Sequence, residues 1–320
     1  MVIGIGNALV DALVQVPNDD ILTKLELPKG SMQLIDTDRY QKISKIMSQM
    51  DVKRSTGGSA SNTIVALANL GAAPAFIGKV SDDENGRFFA DNCKTLGINA
   101  HLLPDELPTG VASTFISADG QRTFGTYLGA AARLTADDMR KEWFEGYDYF
   151  YIEGYLVQNH DLIECAVDMA HQAGLKVCLD LASYNIVEGD RDFFEYLLGK
   201  TDIVFANEEE ARAFTGKEAR QALDELAQLC EIAVVKVGKD GAMVRCGEDF
   251  AQQAAMDVNQ VVDTTAAGDF FAAGFLYAHS LGRDLQACLY AGSTLSGHVI
   301  QVVGSKLSNE VWQEIKKELQ

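Results

Sequence analysis

Asp263-Thr264-Thr265-Ala266-Ala267-Gly268-Asp269 runs straight into an apolar segment of helical character, Phe270 to Leu281. A loop of small residues that opens a helix leaves several backbone N–H groups without intrahelical partners and aimed outward, and the helix dipole adds partial positive charge at the same spot. Phosphate oxygens fit such a place. A carboxylate at its mouth would repel a resting phosphate, so Asp269 in the first helical turn makes chemical sense as a general base that takes a proton from an attacking hydroxyl. Loop and carboxylate together read as phosphoryl transfer. The bland alternative is an Asp held by the helix dipole behind a loop that is merely tight.

Two further segments carry chemistry. Gly4-Ile5-Gly6 follows an apolar strand, but Leu9 stands where a dinucleotide fingerprint needs its third glycine, so a nicotinamide-dependent enzyme is disfavoured. The stretch instead puts Asn7 and Asp11 at a strand end, where amide and carboxylate can bond the hydroxyls of a polar ligand; a solvated turn is the other reading. Thr56-Gly57-Gly58-Ser59-Ala60-Ser61-Asn62 opens an apolar helix through Leu70 and lacks the Gly-Lys-Ser/Thr of a Walker A loop. Close backbone approach and the Asn62 amide suit a neutral hydroxylated ligand, with a plain capped helix start as the competing account.

These residues need a scaffold. Val2–Ile5, Ala75–Ile77, Tyr149–Ile152, Val177–Asp180, Ile203–Ala206 and Ala233–Val237 read as buried strands, alternating with helical patterns at 60–70, 86–96, 161–173 and 219–230. Such alternation predicts an α/β fold: a mostly parallel sheet between helical layers, with ligands at the carboxyl ends of the strands. Ala8–Val16 and Val111–Tyr127 break the pattern by alternating like half-exposed strands, and Asp119-Gly120 is a hairpin turn. They are expected to form a small β-sheet lid, hinged near Gly4-Ile5-Gly6 and Gly129-Ala130-Ala131. No repeat or flexible linker divides the chain, so one domain over 1–320 is expected, with the lid drawn from about 8–34 and 100–128.

Composition narrows the partners. The 320 residues carry 27 Lys+Arg against 46 Asp+Glu, a formal net charge of −19. An acidic surface of this kind works against nucleic acid and anionic membranes. An anionic ligand must then be held by backbone amides and a few placed cations. The six cysteines (Cys93, Cys165, Cys178, Cys230, Cys246, Cys288) form no metal-spaced cluster, and no apolar run is long enough to span a bilayer, so a reduced, cytoplasmic protein is expected.

Gly57-Gly58-x-x-x-Asn62 with Gly71, Gly78 and Gly86, followed far downstream by Asp263 to Asp269, resembles the two signature motifs of the phosphofructokinase-B (ribokinase-like) family of carbohydrate and nucleoside kinases. Gly6-Asn7-x-x-x-Asp11, Pro108-Thr109-Gly110, Tyr151-Ile152-x-Gly154-Tyr155 and Asn207-Glu208-Glu209-Glu210 look closest to its adenosine kinase branch. The resemblance covers essentially the whole chain. It implies a three-layer αβα sandwich with a β-sheet lid, and ATP-dependent phosphorylation of a primary hydroxymethyl group.

Position by position, the resemblance implies that Asp269 is the base and that the amides of Ala266, Ala267 and Gly268 form the anion hole, Ala266 standing where the family commonly has Gly. It assigns Asn7, Asp11, Gly57, Gly58 and Asn62 to the acceptor, and Asn207, Lys236, Gly238, Gly241 and Ser293 or Gly304 to the nucleotide. Glu210 is implied to organise Mg²⁺ through water, and Asp263 to ligate a monovalent cation such as K⁺. Lys236 stands where many relatives have Thr; direct phosphate binding and a simple strand-end charge are both open. Arg122 and Arg133 are the arginines placed to add a cation on the phosphates, with a solvated lid face as the other fate of Arg122. Adenosine leads as acceptor, ahead of other nucleosides, ribose and fructose, because Leu9, Leu34 and Tyr155 lie in segments that can build an apolar slot. The alternatives are a sugar kinase of the ribokinase or fructokinase type and a non-catalytic ligand sensor. The expected assembly is a monomer or homodimer.

Overall fold

The computed structural model describes residues 1–320. Its strands in chain order are β1 Val2–Ile5, β2 Leu9–Gln15, β3 Met32–Leu34, β4 Lys53–Gly57, β5 Ala75–Ser81, β6 Asn99–Asp105, β7 Gly110–Ile116, β8 Arg122–Tyr127, β9 Tyr149–Glu153, β10 Lys176–Asp180, β11 Ile203–Asn207, β12 Ile232–Lys236, β13 Ala242–Cys246 and β14 Asp249–Gln253. Nine of them form one sheet in the order β14-β13-β12-β11-β10-β9-β1-β5-β6, parallel from β12 to β6 and closed at the other edge by the antiparallel β13 and β14. The remaining five form the separate sheet β3-β8-β7-β2-β4.

The central strands are buried along nearly all of their length because helices cover both faces. Their alternate side chains divide between two cores. Tyr149, Tyr151, Ile203, Phe205, Ile232 and Val234 pack with helices Ser59–Leu70, Ala267–Ser280 and Leu285–Val299. Phe150, Ile152, Val204, Ala206, Ala233 and Val235 pack on the other face with His160–Gln172, Arg191–Leu198 and Ala219–Leu226. This is the expected αβα sandwich.

The smaller sheet has a core of its own, in which Val14, Leu22, Ile35, Ile43, Val111, Phe115 and Tyr127 pack together. Strand β8 alternates half-exposed and buried residues, as a sheet with one covered face requires. The Asp119-Gly120 turn falls where expected, with Gly120 at φ 83° and Gly120 N donating to Ser117 O at 2.9 Å.

Two lid boundaries change. Residues 99–105, counted with the lid from the sequence, pair in parallel with β5 and form the edge of the large sheet. In their place β4 joins the lid by pairing antiparallel with β2, register Leu9 to Gly57. The Gly57-Gly58 segment, expected from the sequence to meet the acceptor, therefore sits where the lid sheet meets the helix Ser59–Leu70.

A lid with its own core should loosen independently of the sandwich. Phe115 is fully buried there, and Phe115→Ala carries a core-truncation cost of about 3–5 kcal/mol. Hydrogen exchange should speed up at residues 111–127 while amides of β9 to β12 keep their protection; equal loss in both would show one cooperative unit.

Candidate active site

A cavity of about 1230 Å³ opens at the carboxyl ends of β10, β11 and β12, under the lid. That exceeds what one small-molecule ligand needs and leaves room for a nucleotide and an acceptor end to end. Asp11, Gly58, Asn62, Asn207, Glu210, Lys236, Gly238, Gly241, Ser293 and the run Ala266 to Asp269 all line it. The fold thus brings together residues more than 250 positions apart. Asn7, Gly57, Asp263 and Gly304 lie behind this wall.

Ala266 is the N-cap of helix Ala267–Ser280 and holds a left-handed conformation, φ 62° and ψ 5°. For a residue with a Cβ this costs roughly 1–2 kcal/mol. Strain of this kind at a helix entry marks a turn that the surroundings impose, and here the turn carries the chain from the Asp263 loop into the helix with its first amides at the cavity wall. The backbone at Gly268 is not left-handed; the reason for glycine there is space. A Cβ on Gly268 would stand 3.1 Å from the Lys236 ammonium, so the missing side chain lets that charge approach the anion loop.

Asp269 is fixed from the opposite helix. Its Oδ1 accepts from Ser59 Oγ at 2.6 Å and its Oδ2 from Asn62 Nδ2 at 2.9 Å, while Thr63 Oγ1 donates to its carbonyl at 3.1 Å. Asn62, assigned to the acceptor from the sequence, therefore also orients the carboxylate. Burial raises the Asp269 pKa to about 6, with Asp180 adding to the rise and the Ser59 and Asn62 bonds and Lys236 opposing it. A carboxylate with that value is ionised at neutral pH and a better proton acceptor than an ordinary Asp.

Asp11 projects into the cavity from β2, and no protein group donates a hydrogen bond to it. Burial, with repulsion from Asp269 and Asp263, lifts its pKa to about 7. Gly57 leaves room for this carboxylate, and Gly58, at φ 96°, runs so close to the Asn7 carbonyl that a side chain would collide with it. Asn7 itself faces inward: its Nδ2 donates to Glu153 Oε1 at 2.6 Å, and Glu153 Oε2 accepts from Ala60 N at 3.0 Å. Glu153 thereby ties β1 to the start of helix Ser59–Leu70, and burial raises its pKa to about 7.

At the carboxyl end of β11, where the nucleotide is expected from the sequence, Asn207 and Glu210 form a capping box. Asn207 Oδ1 accepts from Glu210 N at 2.8 Å, and Glu210 accepts from Asn207 N at 2.8 Å and Nδ2 at 2.7 Å. Burial and the neighbouring Asp180 raise the Glu210 pKa to about 7. Lys236 Nζ donates to Asp180 Oδ2 at 3.1 Å. Burial alone would lower the lysine pKa, but Asp180 and Glu210 outweigh it and the value lies above the usual one. Lys236 thus stays charged beside the anion loop. Nowhere do three His, Cys, Asp or Glu side chains gather as a ready metal cage. The carboxylate oxygens of Glu210 and Asp180 at one wall suit Mg²⁺ held through water and ligand phosphates.

Several contributors were not named from the sequence: Ser59, Thr63, Glu153, and Asp180 at the carboxyl end of β10. Lid residues Ala112 and Phe124 also line the cavity, as do Met256 and Val258. The expected apolar slot is corrected in part. Tyr155 lines the cavity, whereas Leu9 is buried behind it and Leu34 is 64% exposed on the lid edge. Arg133 bonds Asp105 Oδ2 at 3.2 Å, away from the phosphate wall. Arg122, far from being a solvated lid residue, pairs with Asp263. No helix is long and apolar enough to cross a membrane.

The chain is similar to several known proteins. The family model described as pfkB family carbohydrate kinase matches residues 29–312. The solved adenosine kinase from Sinorhizobium meliloti is 34% identical, with a TM-score of 0.88 over 99% of this chain and 98% of that one. A solved probable sugar kinase from Rhizobium etli CFN 42 is also 34% identical, with a TM-score of 0.87 and the same coverage. Adenosine kinase 2 of Arabidopsis thaliana is 25% identical over 95% of this chain and 94% of its own length.

The raised carboxylates give two measurable consequences. Activity that needs ionised Asp269 should rise with pH through about 6, and Asp269→Asn should lower turnover by about 10² or more while nucleotide binding by calorimetry stays near that of the parent. A turnover within a few-fold of the parent would remove Asp269 from the role of base. Asp11, at about 7 in the fold and about 4 unfolded, has its charged form penalised by folding. Its contribution to stability is complete below the unfolded value and is lost as pH rises through the folded one. Asp11→Asn should therefore raise Tm over the parent at pH 8, by a margin that shrinks toward pH 5; a margin independent of pH would refute the assignment.

Proposed function

The chain belongs to the pfkB family of carbohydrate kinases, and from that premise we propose that it is an ATP-dependent kinase acting on the primary hydroxymethyl group of a nucleoside, with adenosine as the favoured acceptor. The observation that carries the reading is the Asp269 carboxylate, held by Ser59 and Asn62 at the mouth of the anion loop, on the same cavity wall as an Asp11 carboxylate that finds no donor in the protein.

In this reading Asp11 binds ring hydroxyls and Asp269 takes the proton from the hydroxymethyl oxygen as that oxygen attacks. The amides of Ala266, Ala267 and Gly268 receive the charge that gathers on the transferred group, with Lys236 as the nearest fixed cation. ATP is the phosphoryl donor and leaves as ADP; Glu210 would hold Mg²⁺ through water, where the ion would neutralise the phosphate charge. Gly238, Gly241 and Ser293 border the nucleotide side. Phe124 of the lid and Tyr155 of the main layer supply aromatic surface at the acceptor side, which suits the flat face of a base. The resemblance to adenosine kinases supports the same choice, while the sugar kinase relative keeps ribose and fructose as the second candidates. A non-catalytic sensor would have no use for an oriented base.

A coupled assay of ADP release with Mg·ATP, run across nucleosides and free sugars, tests this. Adenosine should give the highest kcat/KM, and Asp11→Ala should raise the acceptor KM strongly while leaving that for ATP nearly unchanged, since a lost bond to a charged group costs about 1.5–3 kcal/mol. A preference for a free sugar would replace nucleoside by sugar in the reading; equal effects of Asp11→Ala on both substrates would make Asp11 structural.

A further inference from the structure

The lid brings a charge to the cleft as well as a cover. Arg122 is the first residue of β8, and its side chain crosses to the main layer, where Nη1 bonds Thr265 Oγ1 at 3.3 Å and pairs with Asp263 Oδ1. Both side chains are nearly enclosed, 14% exposed for Arg122 and 4% for Asp263. The rest of the Asp263 carboxylate is also committed. Its Oδ1 accepts from Thr265 N at 2.9 Å and its Oδ2 from Gly304 N at 2.6 Å. Burial would raise the Asp263 pKa, but Arg122 and these two amides prevail and hold it below the usual range, so the residue is an anion.

A resident monovalent cation at Asp263, as the family resemblance implies, would need a carboxylate oxygen that faces it and a negative charge left to balance. With the guanidinium in place that charge is already balanced, and a second cation against the same carboxylate would be repelled by the first across a few ångströms of protein. The residues present do not fit the ion while the lid is down.

We propose that Arg122 takes the place of the monovalent cation, delivered by the lid when it closes. The positive charge behind the Thr264-Thr265-Ala266 turn is then a property of the closed state. Opening leaves the Asp263 carboxylate with its two amide donors and no cation. Arg122 acts through Asp263 and the loop that Asp263 anchors, so it is a positioning residue. The enzyme needs no K⁺, and removal of the arginine creates a requirement for it.

Two measurements with KCl against choline chloride at equal ionic strength test this. In the kinase assay the parent should run equally fast in both salts. Arg122→Ala should lose roughly tenfold or more in choline, with Asp263 left uncompensated, and regain a large part of that in KCl. In thermal denaturation of the ligand-free protein, KCl should raise the Tm of Arg122→Ala over its value in choline, and leave both the parent and Arg122→Ala/Asp263→Asn unmoved. Arg122→Gln serves in the same assays should the alanine variant fold poorly. Stimulation of the parent by KCl, or the same KCl response in parent and Arg122 variants, overturns the proposal. The rate measurement rests on the kinase reading and the thermal one does not: the expected thermal pattern in a protein without kinase activity would fault that reading and uphold this one.

Discussion

Asp11, Asp180, Glu210 and Asp269 converge on one cavity wall, with Glu153 just behind, and burial pushes the proton affinity of four of these five upward. Unrelieved, that many negative charges in a low-dielectric cleft would either take up protons or force the strand ends apart. The counterweights are few: the Lys236 ammonium, the amides at the start of helix Ala267–Ser280, and donated hydrogen bonds from Ser59, Asn62, Asn7 and Ala60. The side-chain donors and Ala60 N also fix where Asp269 and Glu153 point. Under the kinase reading proposed above, a ligand with hydroxyls at one end and phosphates with their metal at the other would relieve the remaining imbalance.

The anion loop depends on that balance in a second way. Helix Ala267–Ser280 packs against both Ser59–Leu70 and Leu285–Val299 in the same core, so its first turn has little freedom to shift. Ser59 and Asn62 act from the first of those partners on the carboxylate of Asp269. The left-handed Ala266 is tolerated between a rigid helix on one side and, on the other, the Asp263 carboxylate anchored by Gly304 and Thr265. Backbone strain is held at the point where the amides must face outward.

The parts of the site that sequence reasoning reached are those in which chemistry is written locally. The run Asp263 to Asp269 is one turn of chain, and Asn207 with Glu210 is a helix start whose cap and possible metal role share the same spacing. The central strands were legible because burial on both faces leaves unbroken apolar runs. Strands β3 and β4 were not, since Lys53-Arg54-Ser55-Thr56-Gly57 is an edge strand with no apolar signal, exposed at Lys53 and Arg54. Strand β6 was placed in the wrong sheet: Pro104 and its mixed polarity mark an edge strand but not which sheet owns the edge. Asp180 and Glu153 escaped, and Arg122 was named as a cation for phosphate and not as the partner of Asp263, because these roles come from partners far along the chain, Lys236, Asn7 and Asp263 respectively. A carboxylate at the end of a buried strand was the only signal available for the first two.

The position of β1 also bears on how the molecule reaches this state. Ile3 lies in an inner strand of the large sheet, third from its β6 edge, and pairs with Ala75 on one side and Phe150 on the other, and Leu9, a few residues on, pairs in the lid with Gly57 and Gly110. Each of these ladders joins segments distant in sequence, and two of the four neighbours lie more than 100 residues away. Loop-closure entropy has to be met before such contacts give any return, which slows folding and lengthens the life of partly formed states. During synthesis β1 and β2 are made long before β7 and β9, and an apolar Val2–Ile5 is an edge open to other chains until its second neighbour arrives. The segment that joins the floor of the cleft to its roof is therefore also the one most exposed to mispairing, and the yield of folded enzyme should depend more on temperature and crowding during expression than its finished core would indicate.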